Sequence, residues 1–357
     1  MDITIHESSP DKRKPIPMDE SSLGFGKIFS DHFFNMKYHE NRGWHDPVVE
    51  PYRTIPLDPT AICLHYGQLI FEGLKAYRGR RDEIYLFRPM KNIERMNASA
   101  ERLCMPTVDP ALFLEAIKKL VLLDRQWIPK GSGTSLYIRP TMIATEAALG
   151  VHAANEYLFF IVIGPVGAYY AEGFSPTKIY VSEDYVRAVR GGIGYCKAAG
   201  NYAASLYASK IAMEKGYTQV LWLDAAERKY VEEVGTSNIF FLIGDELITP
   251  PLAGSILPGV TRDSVIQMAQ SWGIRVSERP LAMDEILAAL AAGTLTEVFA
   301  SGTAAIVSPI GQMFYKDKDY IINERKIGLL TQRLYHEILQ IQYGEKEDPF
   351  GWRLRID

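Results

Sequence analysis

The chain has 357 residues, 47% of them hydrophobic and 23% charged, with a formal net charge of -4. That is enough chain for two globular domains, and a near-balanced charge with both signs interspersed argues against a nucleic-acid footprint or an anionic-membrane surface, leaving a small molecule as the expected ligand. The scattered thiols Cys63, Cys104 and Cys196 indicate neither a disulfide framework nor a zinc cluster.

Residues 1–20 are polar, with Lys12, Arg13 and Lys14 beside prolines and no apolar leader, and read as a loose arm on a cytoplasmic protein with no membrane role. Between Gly24 and Tyr38 the aromatic-rich pattern predicts a strand in its second half. Ala61 to Gly79 has helix-like spacing cut by Gly67 and Gly73. A short strand, Ile84 to Phe87, is followed by a helix over Met90–Leu103 that Pro89 starts, with Arg88 before its first turn and Arg95 in its middle; both arginines fit a solvated helix face. Pro110 to Gln126 predicts an amphipathic helix, and Ser135 to Arg139 a strand whose alternation places Tyr137 and Arg139 on one face. Tyr157 to Ile163 is a largely apolar strand. Gly and Pro content then predicts an interdomain linker over 164–175, between a domain at 1–163 and another at 176–357.

The second half alternates strands, at Lys178–Val181, Thr218–Asp224, Ile239–Ile243 and Leu295–Ala300, with helices. One helix, Ala203 to Met213, is expected to turn Leu206 and Ile211 inward, and another starts near Leu257 with Thr261 able to cap it. Two glycine-containing turns, Gly235–Asn238 and Ser301–Ala305, can present backbone N–H groups and a threonine hydroxyl to an anion; glycine followed by threonine is also an ordinary helix start.

Lys197 lies among four glycines, at 191, 192, 194 and 200, and next to Tyr195 and Cys196. Removing side chains around one amine lets a flat ligand approach, and partial desolvation disfavours the ammonium, which suits a lysine that reacts with a carbonyl; a solvated loop lysine is the alternative. The chain has no P-loop spacing, no third glycine after Gly192 and Gly194 where a dinucleotide fold needs it, no Gly-x-Ser-x-Gly elbow and no metal-ligand spacing among its histidines. A lysine, a downstream carboxylate at Glu232 or Glu233, two anion-binding turns and several arginines remain. Those are the parts that hold pyridoxal phosphate: an amine for the aldehyde, a carboxylate for the ring nitrogen, and donors for the phosphate.

Eight segments in order, His65–Gly67, Phe71–Gly73, Phe87–Pro89 with Arg95, Tyr137–Pro140, Lys197–Tyr202, Glu233–Asn238, Leu257–Arg262 and Ser301–Ala304, resemble the branched-chain amino-acid aminotransferases of fold type IV. The resemblance runs from about Phe25 to Trp352. It implies an α/β fold with a small N-terminal and a larger C-terminal α/β domain, pyridoxal 5'-phosphate at their interface, and a homodimer. It also assigns roles. Lys197 becomes the Schiff-base lysine and proton shuttle, and Glu233 the partner of the ring nitrogen. Arg95, Val260, Thr261 and Thr303 hold the phosphate, Tyr202 the phenolic oxygen, and Thr236 sits beside cofactor and pocket. Phe25, Tyr66, Phe71 and Tyr137 line the substrate pocket, Leu149 and Val151 reach in with Tyr66 from the neighbouring subunit, and the Ala304 N–H meets the substrate carboxylate. Arg139 corresponds to the arginine that takes the distal carboxylate of glutamate; otherwise it makes a structural salt bridge. The implied reaction transfers the amino group of leucine, isoleucine or valine to 2-oxoglutarate by ping-pong transamination. The same fold also hosts D-amino-acid aminotransferases and aminodeoxychorismate lyases, which the Tyr137–Pro140 and Ser301–Ala304 segments disfavour.

Overall fold

The computed structural model describes residues 1–167 and 174–357. Half of the linker expected at 164–175 therefore lies outside the described residues, and its first residues continue a strand that ends at Val166. By packing, the chain forms two compact units: Met1–Ala171 with Cys196–Ala199 and Gln340–Asp357, and Glu172–Tyr195 with Gly200–Leu339.

The first unit contains β1 (Thr4–Ile5), β2 (His32–His39), β3 (Gly43–Pro51), β4 (Leu69–Phe71), β5 (Leu74–Arg78), β6 (Ile84–Phe87), β7 (Ser135–Ala144) and β8 (Glu156–Val166). They form one sheet in the order β1-β3-β2-β8-β7-β5-β6, closed at its edge by the C-terminal strand Arg353–Arg355, with β4 also on β7. All pairings are antiparallel except β1 with β3. Helices α2 (Pro89–Arg102) and α3 (Pro110–Leu123) pack with each other, and α3 also packs on β2. The core between them is aromatic: the Phe159 ring meets Phe113 at 4.7 Å and Phe34 at 5.9 Å, both edge to face, the arrangement the ring quadrupole favours.

Two expectations are corrected here. Residues 1–20 are not a loose arm. Ile3 is buried, β1 pairs with β3, the Ser8 N–H donates to His32 Nε2 (2.8 Å), and the Lys14 N–H donates to Asp31 (2.8 Å). With Nε2 accepting, the His32 proton sits on Nδ1 and bonds Asp124 at 2.6 Å, so a buried polar network holds the arm. The helix-like stretch 61–79 is one short helix, α1 (Ile62–Tyr66), which stops at Gly67 and gives way to β4 and β5. A continuous apolar run fits either period, and pairing with β7 decides it.

The second unit holds β9 (Thr177–Val181), β10 (Gln219–Leu223), β11 (Val231–Val234), β12 (Asn238–Ile243), β13 (Glu246–Thr249), β14 (Arg275–Glu278), β15 (Leu295–Gly302), β16 (Ile306–Tyr315) and β17 (Lys318–Ile321). Their order is β11-β10-β9-β16-β15-β12-β13-β14, with β17 on β16. The sheet is mixed: β9 runs parallel to β10 and β16, and β13 to β14. Helix α4 (Ala199–Glu214) seats Ala208 and Ala212 against Val220 and Trp222, so its small residues face the sheet. Leu206, expected inside, is 67% exposed, and Ile211 is half-buried. Helix α5 (Val260–Ser271) is preceded by Gly259 at the N-cap, which places Thr261 inside the first turn rather than at the cap. Helices α6 (Met283–Ala291) and α7 (Leu329–Gln342) complete the set, and α6 buries Met283 and Ile286 against Val298 and its neighbours. The α/β expectation holds in both units.

Candidate active site

In the first unit the site is built on strand ends. The β4 to β5 break carries Phe71, Glu72 and Gly73, and β7 supplies Tyr137 and Arg139. Lys197 reaches this unit through backbone: the Phe71 N–H donates to the Lys197 carbonyl (3.0 Å), the Lys197 N–H donates to Ser99 Oγ (3.0 Å), and Ala198 bridges Ile70. The half-buried Lys197 side chain places Nζ 5.1 Å from the centre of the Phe71 ring. On that ring also lies Arg139, its guanidinium 4.6 Å from the Phe71 centre and 5.2 Å from the Tyr137 centre. Arg139 Nη2 donates to the Tyr137 hydroxyl (2.8 Å), so both side chains do share a face. Phe25 meets Tyr137 edge-on at 4.9 Å. Gly73 is required here because a Cβ would fall onto the Tyr137 hydroxyl.

Arg95 is not on a solvated helix face. It is buried in α2, and its Nε and Nη2 donate to Glu72 at 2.7 and 2.9 Å. Burial works to raise the Glu72 carboxyl, but the charge and hydrogen bonds of Arg95, the charge of Lys197 and the Asn92 amide outweigh it and hold the group below the usual carboxylate range. Arg88, the other helix arginine, is buried as well, with its guanidinium over Trp352 at 5.1 Å. Tyr66, Leu149 and Val151 are 44%, 61% and 82% exposed, and the Tyr66 hydroxyl donates to the Leu149 carbonyl.

In the second unit the site is built on turns. Glu233 lies near the end of β11, buried, with Oε2 3.0 Å from Arg187 Nη2 and Oε1 accepting from the Asn238 amide at 3.0 Å. Asn238 also donates to the Leu257 carbonyl (3.0 Å) and pairs in register with Ser301. Thus one asparagine ties the carboxylate to the approach of α5 and to the end of β15. A Cβ on Gly259 would fall onto the Asn238 side-chain oxygen, so only glycine leaves this helix start in place. The first-turn N–H groups of α5, at Val260 and Thr261, cannot bond within the helix and form its positive end. Thr303 and Ala304 form the tight turn between β15 and β16, and Thr236 is in the turn between β11 and β12, where Ser237 abuts Gly302. Tyr202 stands in the first turn of α4, half-buried.

The first unit therefore gathers Phe25, Phe71, Tyr137, Arg139 and Lys197 and anchors Arg95 to Glu72, while the second gathers Glu233, Thr236, Val260, Thr261, Thr303 and Ala304. Four supporting residues carried no separate signal: Glu72, Ser99, Arg187 and Asn238. Glu72 and Asn238 lie within motifs already quoted, but nothing in one sequence says which side chain an acid or amide will hold.

The architecture and these two groups of side chains define a class of protein. The model of the amino-transferase class IV family matches residues 69–313, and the chain belongs to that family. Within it, the chain is 53% identical over 346 residues to branched-chain-amino-acid transaminase 1 of Bacillus subtilis (strain 168), covering 97% of this chain and 96% of that one. Among solved structures, the branched-chain amino acid aminotransferase of Escherichia coli superposes with a TM-score of 0.75 at 26% identity, covering 90% of this chain and 99% of that one. The branched-chain amino acid aminotransferase of Thermobaculum terrenum, solved in its PLP form, shares the fold with a TM-score of 0.74 at 24% identity, covering 93% of this chain and 100% of that one.

Proposed function

We propose that the protein is a pyridoxal-phosphate-dependent branched-chain aminotransferase, which passes the amino group of leucine, isoleucine or valine to 2-oxoglutarate and yields the branched 2-oxo acid and glutamate. Family membership and the substrates named for its relatives support this reading, and the donor set fits the coenzyme: an amine, a carboxylate 3.0 Å from an arginine, and a helix start with no side-chain cap at Gly259. When bound, pyridoxal phosphate supplies a carbonyl carbon for the amino group and a ring that draws electrons from the substrate Cα.

In this reading Lys197 Nζ would take the proton from the substrate Cα and deliver it to the coenzyme carbon that receives the amino group, and carry it back in the second half-reaction. Glu233 would accept a hydrogen bond from the ring nitrogen, and Arg187 Nη2, 3.0 Å from its Oε2, fixes that carboxylate in place. Arg95, the N–H groups of Val260 and Thr261, and Thr303 bind the phosphate; Tyr202 and Thr236 orient the ring. Phe25, Phe71 and Tyr137 exclude water from the side-chain pocket, and the Ala304 N–H binds the α-carboxylate. The exposed Tyr66, Leu149 and Val151 complete the pocket of a neighbouring subunit in a homodimer. We assign the protein to the cytoplasm, and none of the described helices is long and apolar enough to cross a membrane.

The observation that carries the substrate pairing is Arg139. It lies on aromatic rings, makes no ion pair among the described residues, and has a buried Nε with no hydrogen-bond partner there. One charge on an aromatic wall serves both an isobutyl group, which packs, and a glutamate carboxylate, which pairs. A coupled assay should show glutamate formation from L-leucine with 2-oxoglutarate. Turnover of D-alanine or aminodeoxychorismate in its place would overturn the assignment.

A further inference from the structure

Glu232 points the other way from Glu233, as successive residues of β11 must. It floors a separate cavity of about 300 Å³ whose walls are Val189, Pro250, Pro251, Ala253 and Ile256. Ser255 Oγ donates to Glu232 Oε1 (2.5 Å), while Oε2 has no protein partner among the described residues. Burial pushes the Glu232 carboxyl up, opposed by the Ser255 hydroxyl, assisted by Asp224, and opposed again by Arg187 and Arg190. The other charges at the cavity are Arg190 at the exposed rim, Glu227, and Asp224, whose carboxylate is occupied by the N–H groups of Ala226, Glu227, Lys229 and Tyr230. A half-buried carboxylate with a free oxygen inside apolar walls recovers its lost hydration best from a cation that brings its own apolar body.

We propose that this cavity is a second ligand site, for a small organic ammonium ion with an aliphatic body, and that its occupancy is transmitted to Glu233. The route is short. Ser255, whose hydroxyl holds Glu232, also accepts at its carbonyl from Arg187 Nη1 (3.1 Å), and Arg187 Nη2 lies 3.0 Å from Glu233 Oε2. Drawing Glu232 toward a ligand shifts Ser255, and with it the arginine that holds the Glu233 carboxylate. The transmission rests on the role proposed for Glu233; the binding does not.

Piperidinium chloride is a suitable probe, because a secondary amine cannot form a neutral imine with the coenzyme and fits the cavity. Calorimetric titration of the holoenzyme should give saturable binding at one site per chain. Glu232→Gln should weaken it about tenfold or more, the usual cost of losing a charged hydrogen-bond partner. Ala253→Trp, which fills the mouth and leaves the charge, should do the same and decides the matter if the first variant misfolds. Absence of saturable binding, or equal affinity in wild type and both variants, overturns the site. The pH midpoint of the bound coenzyme's visible absorbance should move on saturation; an unmoved midpoint with intact binding overturns the transmission, whereas loss of transaminase activity alone bears only on the proposed function.

Discussion

The two units divide the chemistry by sign of charge and by the means of holding it. In the first, Arg139 and Lys197 are set by backbone pairing and by packing on the Phe71 ring, and Arg95, in helix α2, by its buried counter-charge Glu72. In the second, a carboxylate and backbone N–H groups are set by turns that Asn238 ties together. Side chains on rings can be truncated without disturbing the backbone beneath them, whereas the turns are the backbone. Substitutions at the ring-packed Arg139 and Lys197 of the first unit should therefore act chiefly on substrate and proton transfer, and those in the second unit, like those at Arg95, on coenzyme retention as well as rate.

The sharpest test of that division is Lys197→Ala. The Lys197 backbone bonds to Ser99 and Phe71 survive the change, so the fold should persist, while loss of the proton-transferring amine should lower turnover by roughly a thousandfold or more. Circular dichroism and single-turnover kinetics would check both halves. Wild-type-like turnover would remove Lys197 from the chemistry.

Glu233→Gln comes next. An amide oxygen can still accept from Asn238, but it carries no charge for the ring nitrogen and strands Arg187. A fall of about a hundredfold in kcat, with faster loss of coenzyme on dialysis, is expected. An unchanged rate would transfer the role elsewhere, but not readily to Glu232, which lies on the opposite face of β11 against Ser255.

How legible this was depended on what each residue type announces. Glycines beside charged residues mark Lys197 and the turns at Gly235 and Gly302, because tight backbone is written in the residue itself. Arg187 announces nothing: an arginine before a glycine-rich loop looks the same whether it meets solvent or a buried carboxylate. Likewise the polar 1–20 segment has loop composition, and what holds it down, the pairing with β3, Asp31 and the buried His32 and Asp124, lies outside the arm. Beyond residue 305 the strand β16 carries Pro309 and Gly311, which speak against a strand locally, and its neighbours β9 and β15 overrule them.

Arg139→Met gives a smaller and more selective effect. The methionine keeps the apolar wall over Phe71 but removes the donor, so KM for glutamate should rise about tenfold or more while KM for leucine changes little. Equal changes for both substrates would make Arg139 a structural residue of the first unit.

The least effect is expected from Lys75→Met, and it reads stability rather than catalysis. Lys75 is buried in β5 directly opposite Tyr137, and burial lowers its ammonium pKa from 10.5 to about 7. The unfolded chain then keeps a proton that the folded chain gives up between those two values. Because stability rises with pH wherever the unfolded state binds more protons, the cost of this lysine is in full force below about pH 7 and is relieved as pH climbs toward 10.5. The methionine is of similar length and has no proton to lose. Urea unfolding across that window should show wild-type stability rising relative to Lys75→Met, with the variant the more stable at the acid end. If the two curves run parallel at every pH, the folded protein compensates the Lys75 charge, and its burial beside the Tyr137 strand costs the first unit nothing.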